Sequence, residues 1–227
     1  MTEQEGLRGV PAAELSDRQT LRTLIGGWRG AVEGMLPPFI FVGAYFASGR
    51  SLAWALGLTL AVAGVLAALR LRRRERPIRV AGALMVVLLG ALVAFATGNA
   101  VAYFWPLVLA NALSAVAFAF SILIGWPLLG VIVGPIAGTG MRWRQDPDLR
   151  RAYANASWLW VLLNVIRAIA QIPLIRNEDL WALAAIRPVF YVLVILTVLG
   201  SWVIISRSLP SGHPGLRHPR VPAPPPG

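Results

Sequence analysis

Residues 69–98 read LRLRRRERPIRVAGALMVVLLGALVAFATG: six arginines between Arg70 and Arg79, then an uncharged run from Val80 to Gly98. That run matches the ~20 apolar residues needed to cross a hydrocarbon layer of ~30 Å. A basic connection is what holds one side of a span in the cytoplasm. The stretch therefore reads as a cytoplasmic loop leading into a membrane-spanning helix. The rest of the chain repeats the theme. Of 227 residues, 57% are hydrophobic and 14% charged, with a mean hydropathy of +0.66. An average globular protein has ~45–50% and ~25%. A core of this size cannot hide so much apolar surface, which excludes a soluble enzyme, a disordered chain and a disulfide-stapled secreted domain. There is no cysteine, so disulfide, iron–sulfur and thiolate–zinc chemistry are excluded as well.

Working outward from 69–98, six apolar segments lie near 32–48, 52–69, 79–98, 103–124, 155–174 and 181–205. A further apolar piece, 126–138 (WPLLGVIVGPIAG), is short and broken by Pro127 and Pro135. It reads as re-entrant or interfacial, or as part of a seventh crossing. Arginine decides the orientation. The chain has 21 arginines and no lysine; four lie in residues 1–31, six in 70–79, four in 139–154 and three after 206. Arg50 and Arg176 are the ones in connections on the other side. These connections alternate if 103–140 crosses once, giving an all-α polytopic bundle of about six spans with both termini cytoplasmic. Trp54, Trp105 and Trp181 then fall at outer span ends, and Trp126, Trp143, Trp158 and Trp202 at inner ends, at headgroup level. The basic excess fits this topology better than a nucleic-acid face, so no nucleic-acid partner is expected.

The flanks are polar. Residues 1–16 read as a disordered tail. Ser16-Asp17-Arg18-Gln19 is a capping box, and Leu21, Leu24, Ile25 and Trp28 follow at helical spacing. Residues 17–31 thus read as an amphipathic helix on the membrane surface, with Arg18, Arg22 and Arg29 off the apolar stripe and facing anionic headgroups. Residues 207–227 are Pro-rich and read as a disordered cytoplasmic tail that includes both histidines, His213 and His218.

The inventory is poor in catalytic groups. Glu33 is the acidic residue that approaches a span, and Arg29 one turn earlier is its expected partner. No paired intramembrane Asp, Ser–His arrangement, metal site or phosphate loop is legible, so no catalytic residue, metal or cofactor is expected. The informative polar group is Arg167, deep in the fifth span, where an arginine costs ~2.5–3.5 kcal/mol on insertion scales. Asn164 and Gln171 share its face, and Arg187-Pro188 opens the sixth span. A structural use has Arg167 donating to backbone carbonyls freed near Pro37, Pro38, Pro127 or Pro135. A functional use makes Arg167, Asn164, Gln171 and Arg187 an anion site. Arg72, Arg73 and Arg74 in the basic loop set topology and, with the 17–31 helix, are candidate contacts for anionic lipid. Small residues recur four apart at Gly90, Ala94, Gly98 and at Gly130, Gly134, Gly138. Such rows serve close packing inside the bundle, or alternatively a homo-oligomer.

Four stretches carry a resemblance: GGWRGAVEGMLPPFIFVGAYFASG (26–49), GWPLLGVIVGPIAG (125–138), RWRQDPDLRRAYANASWLW (142–160) and Arg167 with Gln171-Ile172-Pro173-Leu174. Together they resemble the actinobacterial integral membrane family catalogued as domain of unknown function 3159, over roughly 20–208. A fainter similarity, to the bacterial intracellular septation protein A group, rests on Pro37 with Tyr45, Pro127-Leu128 and Asn155-x-x-Trp158. The first resemblance implies a multi-pass bundle, the second a role in envelope maintenance, and neither implies a reaction. The expected function is a non-enzymatic envelope or interaction protein of the bacterial cytoplasmic membrane that engages anionic phospholipid. The rival is a small transporter or channel for an anionic solute with Arg167 in its pathway.

Overall fold

The computed structural model describes residues 27–210, 213–216 and 218–220, with side chains from residue 32 on. The expected 1–16 tail and nearly all of the 17–31 surface helix lie outside these residues. The described chain is helical without strands. Helices α1 (Gly27–Ala47), α2 (Leu52–Arg72) and α3 (Pro77–Thr97) lead through a 3₁₀ turn (Ala100–Phe104) into α4 (Trp105–Leu123). Then come the short α5 (Leu128–Ile136), a second 3₁₀ turn (Arg142–Gln145), and the long α6 (Pro147–Arg176) and α7 (Leu180–Ser208).

Local chemistry sets these boundaries. Pro77 opens α3 at its first turn, where a missing amide donor costs nothing. Gly98 closes α3 in the left-handed region, at φ +66°. The Asn99 side chain then accepts the amide of Val101 at 2.8 Å and starts the 3₁₀ turn. At the other short element, the Ser121 hydroxyl donates to the Phe118 carbonyl and accepts the amide of Leu128, satisfying an orphan donor at the start of α5.

Among the described residues, five segments are long and apolar enough to cross a membrane: Leu52–Arg72, Pro77–Thr97, Ala100–Leu123, Pro147–Arg176 and Leu180–Ser208. Only 22–28% of each apolar window is buried inside the protein, so large apolar side chains such as Phe95, Leu113 and Leu123 face outward. Helices apolar all round are solvated by lipid or by more protein. The sixth expected span corresponds to α1, whose apolar part, Val32–Ala47, is shorter than the other five. The piece at 126–138 forms the nine-residue α5, about 14 Å long at 1.5 Å per residue and too short to cross alone.

The chain divides into two compact units. The first takes Trp28–Ala115 and Leu163–Val194. Its core is aromatic at one point: the Phe41 ring stacks on Tyr103 with centroids 4.3 Å apart and meets Phe104 edge-on. Gly90 allows this, because a Cβ there would stand 2.7 Å from the Tyr103 carbonyl oxygen. Of the small-residue row at 90, 94 and 98, Gly90 and Ala94 are buried and serve packing.

The second unit takes Val116–Leu162 and the residues from Ile195 on. Here Trp143 is fully buried, and its ring lies on the notch made by Gly130 and Gly134 of α5. Trp143 therefore does not present its indole to headgroups, as was expected, because the ring is core. Arg144 next to it does face outward, its guanidinium 3.5 Å from the centroid of the Trp126 ring. The tail also departs from expectation. Leu216 is buried in this unit's core, and the His213 side chain is 1% exposed. A Pro-rich segment builds no core of its own, but it lies well on one already made when its few polar groups find partners.

Candidate functional site

The polar face on α6 forms as spaced. Asn164 and Gln171 are buried, and Arg167 between them is half-buried. The Gln171 amide donates to the Arg167 carbonyl at 2.7 Å. Arg167 Nη2 donates to the backbone carbonyl of Phe190 on α7 at 3.3 Å, and the guanidinium lies 5.3 Å from the Phe190 ring centroid. So Arg167 Nη2 has a carbonyl acceptor, on α7 and not beside Pro37, Pro38, Pro127 or Pro135, while its buried Nε has no partner among the described residues.

Arg187, placed with these residues by sequence, interacts electrostatically with Arg167 and, like it, with Tyr191. It lines a cavity of ≈ 260 Å³ within the first unit, and Arg167, Asn164 and Gln171 do not. Three features define this cavity. Its wall on α1 is Glu33, Gly34, Pro37 and Pro38. The two prolines lack the amide hydrogens that would close onto the Glu33 and Gly34 carbonyls in regular helix, so acceptors are left at the wall. Gly34 also brings α1 against α7, because a Cβ there would run into the Tyr191 hydroxyl. The walls on α2 and α3 are mainly apolar, with Leu66 and Val87 among them. Arg187 shares the remaining wall with Tyr103 and Tyr191. Its guanidinium lies 5.5 Å from the Phe104 ring centroid, and its buried Nε has no hydrogen-bond partner among the described residues.

Glu33 is not a free acid in this cavity. Its Oε2 accepts from Arg70 Nε at 2.8 Å and its Oε1 from Arg73, both across from α2. Glu33 thus has two long-range partners that the sequence did not suggest, and the side chain of Arg29, its expected i−4 partner, lies outside the described residues. The same two bonds reshape the basic turn. Arg73, expected among the lipid contacts, is committed to Glu33, whereas Arg72, Arg74, Arg76 and Arg79 are exposed and have no carboxylate partner among the described residues. Arg18 and Arg22 lie outside the described residues, and of Arg29 only the backbone is described.

Sequence reasoning missed the most complete polar cluster. Asp146 Oδ1 accepts the amides of Asp148 and Leu149 at 3.0 and 3.2 Å, capping α6. Its Oδ2 accepts the amide of Arg220 at 2.7 Å and meets His213 Nε2 at 2.9 Å. His213 Nδ1 accepts the amide of Gly215 at 3.0 Å, which leaves Nε2 as the protonated nitrogen of the neutral ring. Burial works to raise the Asp146 carboxyl, and the hydrogen bonds from Arg220, His213 and Leu149 outweigh it, holding it below the usual carboxylate range. Asp146, Asp148 and His213 are close enough to offer three ligands to a metal. However, both Asp146 oxygens and both His213 nitrogens are already used, so the cluster is a hydrogen-bonded knot. The cap itself was legible, since Asp-Pro at a helix start is a familiar signal; its tail partners were not.

Outward-facing apolar helices, a buried guanidinium in an apolar cavity and an arginine-rich turn define a multi-pass α-helical membrane protein. The chain belongs to the family of proteins of unknown function DUF3159, whose model matches residues 25–211. No curated protein and no solved structure matches it.

Proposed function

We propose that this protein is a non-catalytic component of the bacterial cell envelope that holds anionic phospholipid headgroups at its α2–α3 turn. The observation that supports this reading is the division of labour among the turn's arginines. Arg70 and Arg73 neutralise Glu33, while Arg72, Arg74, Arg76 and Arg79 extend from the ends of two apolar helices with Glu75 as the one acid among them. A juxtamembrane cluster of this kind attracts acidic headgroups by ~1 kcal/mol per arginine. The absence of catalysis is argued from Asp146 and His213, an Asp–His pair whose acceptor and donor atoms are all occupied by structural bonds.

A transport route past Arg167 has less to support it, because that guanidinium is tied to the Phe190 carbonyl and lies outside the cavity wall. The test uses the triple variant Arg72→Gln, Arg74→Gln, Arg76→Gln, which spares the Glu33 pairs. Purified from mixed-lipid membranes, it should retain several-fold less acidic phospholipid than the wild type. Equal retention removes the lipid reading, and unaltered envelope integrity under stress after deletion of the gene removes the envelope role.

A further inference from the structure

We infer that the cavity around Arg187 is a binding site for one carboxylate or phosphate group, with the apolar remainder of the ligand lying between α2 and α3. This goes beyond the lipid reading of the turn and does not depend on it. The first ground is charge. Glu33 and Arg70 both line the cavity but neutralise one another, and Arg73 adds a second cation to the same carboxylate. Arg187 is left as the uncompensated charge of the wall. A desolvated cation persists when something pairs with it, and among the described residues Arg187 has a ring at 5.5 Å and no hydrogen bond.

The second ground is shape. The space of ≈ 260 Å³ equals about nine waters at ~30 Å³ each. That suits an acidic head with a short length of chain, and falls below the ~300–1,000 Å³ of sites for drug-sized ligands. The lining from Val80 to Val87 on α3 is about 10 Å of helix, enough for such a ligand to lie lengthwise. The third ground is the polar complement. Tyr103 and Tyr191 line the same cavity as Arg187, and a tyrosine hydroxyl in its wall can donate to the remaining oxygens of an anion. Guanidinium plus hydroxyl donors in an apolar slot is the usual composition of an acid-recognising site.

An acidic lipid or fatty acid and a small free anion share this chemistry, and the experiment separates them. Full-length protein in nanodiscs of neutral phosphatidylcholine is titrated with dodecanoate, acetate or inorganic phosphate, with thermal unfolding and equilibrium binding as readouts. Dodecanoate should bind saturably. Arg187→Gln should weaken it by about tenfold or more, the loss expected for one charge-assisted bond, whereas Arg187→Lys should recover part of it. Ala67→Phe, which fills the cavity and leaves Arg187 in place, should also abolish binding. The Arg72/Arg74/Arg76 triple variant should bind as the wild type does, so this result and the lipid-retention result fail separately. Acetate or phosphate binding with the same Arg187 dependence supports the site and assigns it to a free anion. Failure of all three probes to bind the wild type overturns the inference, as does binding that both Arg187→Gln and Ala67→Phe leave unchanged.

Discussion

The ring of His213 and the carboxylate of Asp146 stand 67 residues apart in the chain and 2.9 Å apart in space, each side chain 1% exposed. One aspartate therefore does two jobs: Oδ1 caps the helix that begins at Pro147, and Oδ2 holds the C-terminal segment. Because folding depresses the Asp146 carboxyl, its contribution is fully present above the unfolded value of 3.8 and is lost as pH falls through the lower folded value. Acidification below about 3.8 should loosen the tail progressively. Asp146→Asn at neutral pH should cost about 1–3 kcal/mol and speed limited proteolysis after residue 208. A tail equally resistant in wild type and variant contradicts this.

What composition could reveal is the identity of the spans, because lipid solvates apolar side chains one residue at a time and hydropathy sums locally. Partner choice is not local. Glu33 reaches Arg70 and Arg73 over 37 and 40 residues, and no periodicity in α1 points to either of them. Arg167 donates to a carbonyl on α7, and that acceptor depends on helix placement that sequence spacing does not encode. Trp143 misled for a related reason: an indole near a span end usually sits at the headgroups, and only the Gly130–Gly134 notch, seen in space, takes it inside. The tail misled because composition describes what a segment can build alone, and His213 and Arg220 instead use a helix cap built by Asp146.

The Gly130–Gly134 notch yields a packing test. A Cβ on Gly130 would come within 2.8 Å of the Trp143 ring, and one on Gly134 would press on that ring and on the Gly140 carbonyl oxygen. Backbone and a buried indole cannot both give way. Gly134→Ala should destabilise the protein by about 1–3 kcal/mol, the range for overpacking. Gly57→Ala, where nothing lies within 4 Å, should be close to neutral. Thermal unfolding in detergent reads both, and equal effects would show that helix propensity governs the change.

The two arginines on Glu33 should differ in weight. The Arg70 side chain is 17% exposed and Arg73 50% exposed, so water screens the second pair more. In double-mutant cycles, Glu33→Gln with Arg70→Gln should give a coupling of about 1 kcal/mol or more. The cycle with Arg73→Gln should give only a few tenths. High salt should erase the Arg73 coupling first. Couplings of equal size would mean that burial is not what ranks them.

Arg167 and Arg187 make the sharpest contrast, because each puts a guanidinium among apolar helices and only one has an acceptor. Arg167 donates to the Phe190 carbonyl, so Arg167→Leu forfeits a hydrogen bond worth about 1 kcal/mol and should lower the unfolding temperature. Arg187 has no hydrogen bond among the described residues. Replacing an unpaired desolvated charge by a hydrophobic side chain of similar size is often neutral or stabilising. Among the described residues the counterweight is the Phe104 ring, at 5.5 Å, worth ~0.5–1 kcal/mol. In protein stripped of anionic lipid, Arg187→Leu should therefore unfold at the wild-type temperature or higher, the opposite of Arg167→Leu. With a bound acid the order should change, since the wild type gains the ligand's binding free energy and the Arg187→Leu variant does not. An Arg187→Leu variant as unstable as Arg167→Leu in the stripped state would give Arg187 a structural task in place of a binding one.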